Sequence, residues 1–270
     1  MKRFASYDGT SLAYHIIGES DRPLVCVPGG PAQSAAYLRD LGGLTGLVLL
    51  DNRATGGSDR PSDPQTYRAD RLVEDIEALR VQLGLSRMDL LGHSAGAGVA
   101  MIYAARYPER IERLILVTPG LRAAGFELTG EQWLMHLEIR RGEPWFEEAY
   151  EAVLNDGPRA LYEPFYYGRW DEAARKFSEA QHRDEEGVAG YFATDWKAVA
   201  ATTVPGLAAL KDPVLVVAGE LDPGPTPAMA RRFVEVVGNG RLVIQPKAGH
   251  FPWIDDPDAF SRSVREFLGD

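Results

Sequence analysis

A chain of 270 residues with 45% hydrophobic and 25% charged residues holds enough apolar material for a large buried core, and its composition is far from that of a disordered protein. The formal net charge of −10, with no basic stripe in the chain, excludes nucleic acid as a partner, because phosphate binding needs clustered lysine and arginine. No run of about 18 uncharged apolar residues occurs, which excludes a membrane span, and the lone Cys26, inside an apolar run, excludes an internal disulfide. No apolar stretch of signal-peptide length follows Lys2 and Arg3, so a cytoplasmic setting is expected.

Residues 4–7 and 12–17 flank Asp8-Gly9, the turn chemistry of an antiparallel hairpin at a sheet edge. Residues 24–27 are continuously apolar, as in a strand buried on both faces, and run into Pro28-Gly29-Gly30-Pro31. A short helix is predicted over 34–41, then a buried strand over 47–50 that ends in the Gly-rich loop 51–58. Between 67 and 83, Leu72, Val73, Ile76, Leu79, Val81 and Leu83 fall mostly three or four apart, with Gly84 placed as a C-terminal cap, which predicts one amphipathic helix. The apolar strand at 87–91 then enters Gly92-His93-Ser94-Ala95-Gly96, followed by a small-residue helix over 97–107 that Pro108 closes. With another buried strand at 113–119, strands and helices alternate in the order that builds a parallel sheet.

That alternation stops over 121–204, where helical stretches but no buried strand can be read, and it resumes with a strand over 213–222. The predicted organisation is a core of 1–120 and 205–270 carrying a helical cap at 121–204. The cap holds 14 of the 26 aromatic residues, and 16 acidic against 9 basic residues. Trp133, Trp145, Tyr166, Tyr167, Trp170, Phe192 and Trp196 turned toward the sheet would enclose an apolar substrate, and acidic residues at the mouth would favour a cation. The simpler alternative is that most of these aromatics form the cap's own small core and that Asp184-Glu185-Glu186 is a solvated helix start. Glu163, beside Pro164 and Phe165-Tyr166-Tyr167, is the candidate carboxylate for a substrate amine. After a helix over 227–237, a strand over 241–244 and a loop carrying His250, the last helix is predicted over 257–268, with Asp256 as N-cap and Pro257 at its first position.

The pattern around Ser94 reads as a nucleophile elbow, a turn so sharp that the serine hydroxyl stands above the sheet edge. An acyl-transfer serine needs a base and a carboxylate to orient that base. His250 and Asp222 each follow a buried strand, so all three fall on loops at one edge of the sheet. The other imidazoles are placed less well: His15 on an edge strand, His93 at the variable elbow position, His136 and His182 in the cap. Glu220 is the nearby alternative carboxylate, while Asp255 and Asp256 read as the start of the last helix. Oxyanion donors are expected from the backbone N–H groups of Ala95 and Gly30, with Gly29 beside Gly30 leaving room for substrate.

Gly92-His93-Ser94-Ala95-Gly96, Pro28-Gly29-Gly30-Pro31, Gly219-Glu220-Leu221-Asp222 and Gly249-His250-Phe251-Pro252-Trp253 together resemble α/β hydrolases. Asp51-Asn52-Arg53-Ala54-Thr55-Gly56-Gly57-Ser58 is similar to the corresponding loop of the proline iminopeptidase branch, although Pro28, Ala32 and Ala54 depart from that branch's pattern. The resemblance implies an α/β-hydrolase fold, a mostly parallel sheet with a helical cap, and a serine hydrolase that needs neither metal nor cofactor. It also implies a short-peptide or amide substrate with an N-terminal proline, the free amine being held by acidic cap residues. An ester or lactone of a small metabolite is the alternative, and a non-catalytic ligand-binding protein of the same fold the third reading. Ser94 at the elbow disfavours an aspartate nucleophile.

Overall fold

The central strands are apolar on both faces, and successive residues feed two different layers. Val25, Val27, Val48, Leu50, Leu90, Leu114, Leu116, Val214 and Val216 pack into one cluster, while Leu24, Cys26, Leu47, Leu49, Leu91, Ile115, Val117, Leu215 and Val217 pack into another. This period of two with no polar face is what a sheet covered by helices on both sides requires. The computed structural model describes residues 1–269.

Among the described residues eight strands make one sheet: β1 (Lys2–Ala5), β2 (Ser11–Ile17), β3 (Leu24–Val27), β4 (Leu47–Leu50), β5 (Met88–His93), β6 (Ile111–Val117), β7 (Val214–Gly219) and β8 (Gly240–Gln245), in the order β1-β2-β4-β3-β5-β6-β7-β8. The β1/β2 and β2/β4 pairs are antiparallel, and the strands from β4 to β8 are parallel. Helices α1 (Ala69–Gln82) and α2 (Ala95–Arg106) lie in the first layer, and α11 (Pro257–Leu268) covers the other face. The expected caps hold: Gly84 has φ +68, just past α1, and the Asp256 carboxylate accepts from the Ala259 N–H at the start of α11. Among the described residues, no helix is long and apolar enough to cross a membrane.

Between β6 and β7 the chain is helical: α3 (Gly130–Leu137), α4 (Phe146–Leu154), α5 (Arg159–Tyr162), α6 (Glu172–Glu179), α7 (Glu185–Phe192) and α8 (Trp196–Ala209); α9 (Pro227–Val234) follows β7 and α10 (Pro252–Asp255) follows β8. The limits expected at 121 and 204 fall within elements that pack on the core. Helix α8 runs through 204 and 205 and lies against α2, as does the turn Leu121–Ala124. Leu137, Phe146, Ala149 and Phe165 form a small separate core, with Trp133 and Trp145 packed against it. Tyr167 and Trp170 join one of the two large layers and Trp196 the other, so most of the segment's aromatics are structural.

The loop after β4 is tied down from inside. Arg53 has a fully buried side chain, and its guanidinium is bidentate on Asp75 of α1, with Nε–Oδ2 at 2.7 Å and Nη2–Oδ1 at 2.5 Å. It also reaches Asp8 in the first hairpin. A buried charge left without its partner costs about 3–5 kcal/mol, whereas replacing both members with apolar residues costs far less. Asp75→Ala leaves Arg53 with Asp8 and is expected to lower the free energy of urea unfolding by less, about 1–3 kcal/mol, and Arg53→Met/Asp75→Leu to recover part of the loss.

Candidate active site

Strand β5 enters α2 through a single residue, Ser94, whose φ of 53° and ψ of −120° lie outside the usual regions for a non-glycine residue. The turn closes because its flanking glycines are bare. A Cβ on Gly92 would stand 2.6 Å from the Gly96 carbonyl oxygen, and one on Gly96 would collide with the carbonyls of Val27 and Pro28. The Ser94 N–H donates to Val117 O at 3.0 Å, and its carbonyl accepts from Gly120 N at 2.9 Å, which anchors the turn to β6 and the segment after it.

The Ser94 hydroxyl points at His250, with Oγ 2.8 Å from Nε2, and His250 Nδ1 lies 2.9 Å from Asp222 Oδ2. A carboxylate can only accept, so Nδ1 carries the proton and donates to Asp222, leaving Nε2 to accept from Ser94. Asp222 is fully buried on the turn after β7, where Oδ1 accepts from Gly224 N at 2.9 Å. The His250 main chain is held at both ends. Its N–H donates to Tyr166 O at 2.7 Å, while its carbonyl accepts from His93 Nε2 and Thr118 Oγ1, each at 2.9 Å.

Ser94 and His250 open on a cavity of about 360 Å³, which is also lined by Gly30 and Ala95. That volume suits a small molecule or a short fragment of a larger one. Neither the Gly30 nor the Ala95 N–H has an acceptor among the described residues, and both residues line the cavity with Ser94. Gly30 has φ +115, a conformation reserved for glycine. The structure thus brings together five predicted residues: Ser94, Asp222, His250, Gly30 and Ala95. It does not do so for two others. Gly29 is buried off the cavity; its N–H donates to Tyr37 Oη at 2.7 Å, and its bare Cα serves close packing against Ser94 and His93. Glu163 is also off the cavity, where its carboxylate is bound by Arg159.

The charge of the cavity runs opposite to that expected at its mouth. Among the described residues its charged lining is Arg122, Arg159, Arg183 and a single carboxylate, Glu127, which pairs with Arg122 at 3.0 Å. The acidic majority of the segment is spread over solvent-exposed helix faces, and no sequence periodicity marks which few arginines turn inward. Of the aromatics expected over the site, Tyr166 and Phe192 line it.

Two positions that sequence reasoning passed over hold the site together. Asp255 accepts from Gly249 N at 2.7 Å and Gly168 N at 3.0 Å, pinning the His250 loop to the helical segment. His93, the variable elbow residue, is buried, with Nδ1 2.8 Å from Tyr37 Oη and Nε2–H donating to the His250 carbonyl. Burial first, then the nearby His250, holds its pKa well below the usual 6.5. A base depressed in the folded state adds stability that is complete above pH 6.5 and is lost as the pH falls below that value. The loss approaches about 1.4 kcal/mol per pH unit. Wild-type stability, followed by urea denaturation between pH 7.5 and 4.5, is expected to fall more steeply than that of His93→Gln, which cannot titrate.

A family model described as "alpha/beta hydrolase fold" matches residues 22–257. A Bacillus subtilis protein provisionally named a 2-succinyl-6-hydroxy-2,4-cyclohexadiene-1-carboxylate synthase is 28% identical over 254 residues, covering 91% of this chain and 89% of that one. A proline iminopeptidase of Lactobacillus helveticus is 26% identical over 280 residues, covering 96% of this chain and 95% of the other. Among solved structures, an enol-lactonase from Burkholderia xenovorans covers the whole of both chains with a TM-score of 0.69 at 26% identity. The chain belongs to the α/β-hydrolase fold family and is a hydrolase with relatives of proline iminopeptidase type.

Proposed function

We propose that the protein is a serine hydrolase working through an acyl-enzyme, and that its substrates are small esters or lactones. The observation that carries this reading is the hydrogen-bonded series Ser94–His250–Asp222 opening on a cavity with two unengaged backbone N–H groups. Ser94 Oγ attacks the acyl carbonyl carbon while His250 Nε2 takes its proton, and Asp222 holds the ring and stabilises the imidazolium. The N–H groups of Ala95 and Gly30 receive the charge that develops on the carbonyl oxygen. His250 then returns the proton to the leaving oxygen, the ester C–O bond breaks, and the acyl group stays on Ser94. A water molecule, deprotonated by His250, attacks the acyl carbon; the acid departs and Ser94 regains its proton. The helical segment between β6 and β7, expected over 121–204, acts in this reading as a cap that limits substrate size and excludes water. The buried thiol of Cys26 suits the cytoplasmic setting we assign.

Removal of an N-terminal proline is the second reading, favoured by the match to proline iminopeptidases over nearly the whole chain. It requires an acidic group to hold the substrate amine, and the two nearest candidates, Glu163 and Glu127, are each bound to an arginine. That is why esters and lactones come first.

Wild type is expected to turn over p-nitrophenyl acetate or butyrate with a chelator present throughout. Ser94→Ala should lose all measurable turnover while keeping the wild-type unfolding curve, and Asp222→Asn should lower kcat by about 10³–10⁴. Wild-type rates in Ser94→Ala would overturn the mechanism. Turnover of prolyl-p-nitroanilide at rates matching the esters would move the assignment to the aminopeptidase.

A further inference from the structure

Of the three arginines that line the Ser94 cavity, Arg122 is paired with Glu127, and of the other two, Arg159 and Arg183, only one has a counter-ion. Arg159 binds Glu163 through Nε, and its guanidinium lies over the Tyr166 ring at 4.5 Å from the centroid. Its terminal nitrogens have no acceptor among the described residues. Arg183 has neither a hydrogen bond nor an ion pair for its guanidinium among the described residues. The neighbouring acid is already engaged, because Asp184 pairs with Arg60 and caps α7. Among the strongest influences on Arg183 the carboxylate is Glu163, and it is shared with Arg159. Two cations and one anion leave a single positive charge uncompensated at the cavity wall.

Position makes that charge usable. The backbone of Arg183 pairs with Gln33, and the Asp184 N–H donates to Ala32 O at 2.9 Å, which fixes Arg183 beside the loop that carries Gly30. On the other side, Tyr166, under Arg159, has its ring 5.7 Å from that of His250. Burial, and then the like charge of Arg159, pull the Arg183 pKa down, the strain of a half-buried cation that lacks an anion. A planar guanidinium with free N–H groups matches a carboxylate in shape and charge.

We propose that Arg183 and Arg159 form a carboxylate-binding subsite, so that the substrates are small esters or lactones bearing a carboxylate away from the reacting carbonyl. This rests on the serine-hydrolase reading for its reaction but not for its binding.

The test uses the full chain and two matched pairs of esters. In p-nitrophenyl hydrogen adipate against p-nitrophenyl methyl adipate the carboxylate is on the acyl side. In 4-acetoxybenzoate against methyl 4-acetoxybenzoate it is on the leaving side. In at least one pair, wild type is expected to favour the anion in kcat/KM by about 10-fold or more, and Arg183→Gln to lower that anion-to-neutral ratio by about 10-fold, with Arg183→Lys between them. A ratio of one or less in both pairs overturns the subsite and leaves the hydrolase standing. Should Arg183→Gln fail to fold, the wild-type ratios still decide. Adipate binding to the Ser94→Ala protein, measured by calorimetry, needs no turnover. Binding there, with no hydrolysis of any of the four esters by wild type, would keep the subsite and remove the hydrolase reading. Absence of adipate binding counts against the subsite.

Discussion

The whole site depends on a crowded backbone contact, the approach of Gly96 to the carbonyls of Val27 and Pro28 and of Gly92 to Ala97. A single side chain at either position would push α2 off the end of β5 and relax the turn. Ser94 would then leave its positive φ, a conformation that costs about 1–3 kcal/mol and persists only where the surroundings impose it. Here they do. Strand β5 is bonded on both sides, by β3 and β6, and α2 is buried from Ala95 to Ala104, so neither flank of the turn can move to release it. The same contact brings the Gly30 loop alongside the N-terminus of α2, so one packing constraint sets both the hydroxyl and the two N–H groups that face the cavity.

The parts legible in the sequence are those governed by local rules. Continuous apolar runs marked five of the six parallel strands, β3 to β7, because both faces of a covered sheet are dry. Asp256-Pro257 marked the start of α11 because an N-cap and a first-turn proline act within one turn of helix. Contacts between distant segments were not legible. Asp255 reads locally as a helix start, yet its carboxylate binds Gly168, 87 positions away. Nor is the packing of α8 on α2 marked by any local signal, although the helix runs through 204 and Pro205, where the insertion was expected to end.

Charge shows the same separation between composition and site. The chain carries a net −10, and the segment expected to cap the site supplies 16 acidic against 9 basic residues, which suggested a preference for cations. The cavity responds to what lines it, and its lining holds three arginines and one glutamate. At an ionic strength of 0.15 M the screening length is about 8 Å, so exposed carboxylates on outer helix faces are muted at the site, while half-buried guanidiniums are screened far less. The net charge of the chain therefore bears on its solubility and its long-range field; the choice of ligand is left to a few arginines.

In the proposed reaction His250 becomes a cation once in each half-cycle, and a second imidazole, His93, lies with its ring centroid 5.1 Å away. Were both protonated, each would oppose the other, and the base would be weakest when it was needed. Burial among Tyr37, Phe251 and Trp253 keeps His93 neutral, with its two nitrogens given fixed roles: Nε2–H donates to the His250 carbonyl, and Nδ1 accepts from Tyr37, whose oxygen in turn accepts from Gly29 N–H. That chain of bonds joins the Gly29-Gly30 loop, the elbow and the His250 loop through neutral groups only. It fixes three loops relative to one another without adding a charge that would compete with the imidazolium, which a lysine or a protonated histidine at position 93 would do.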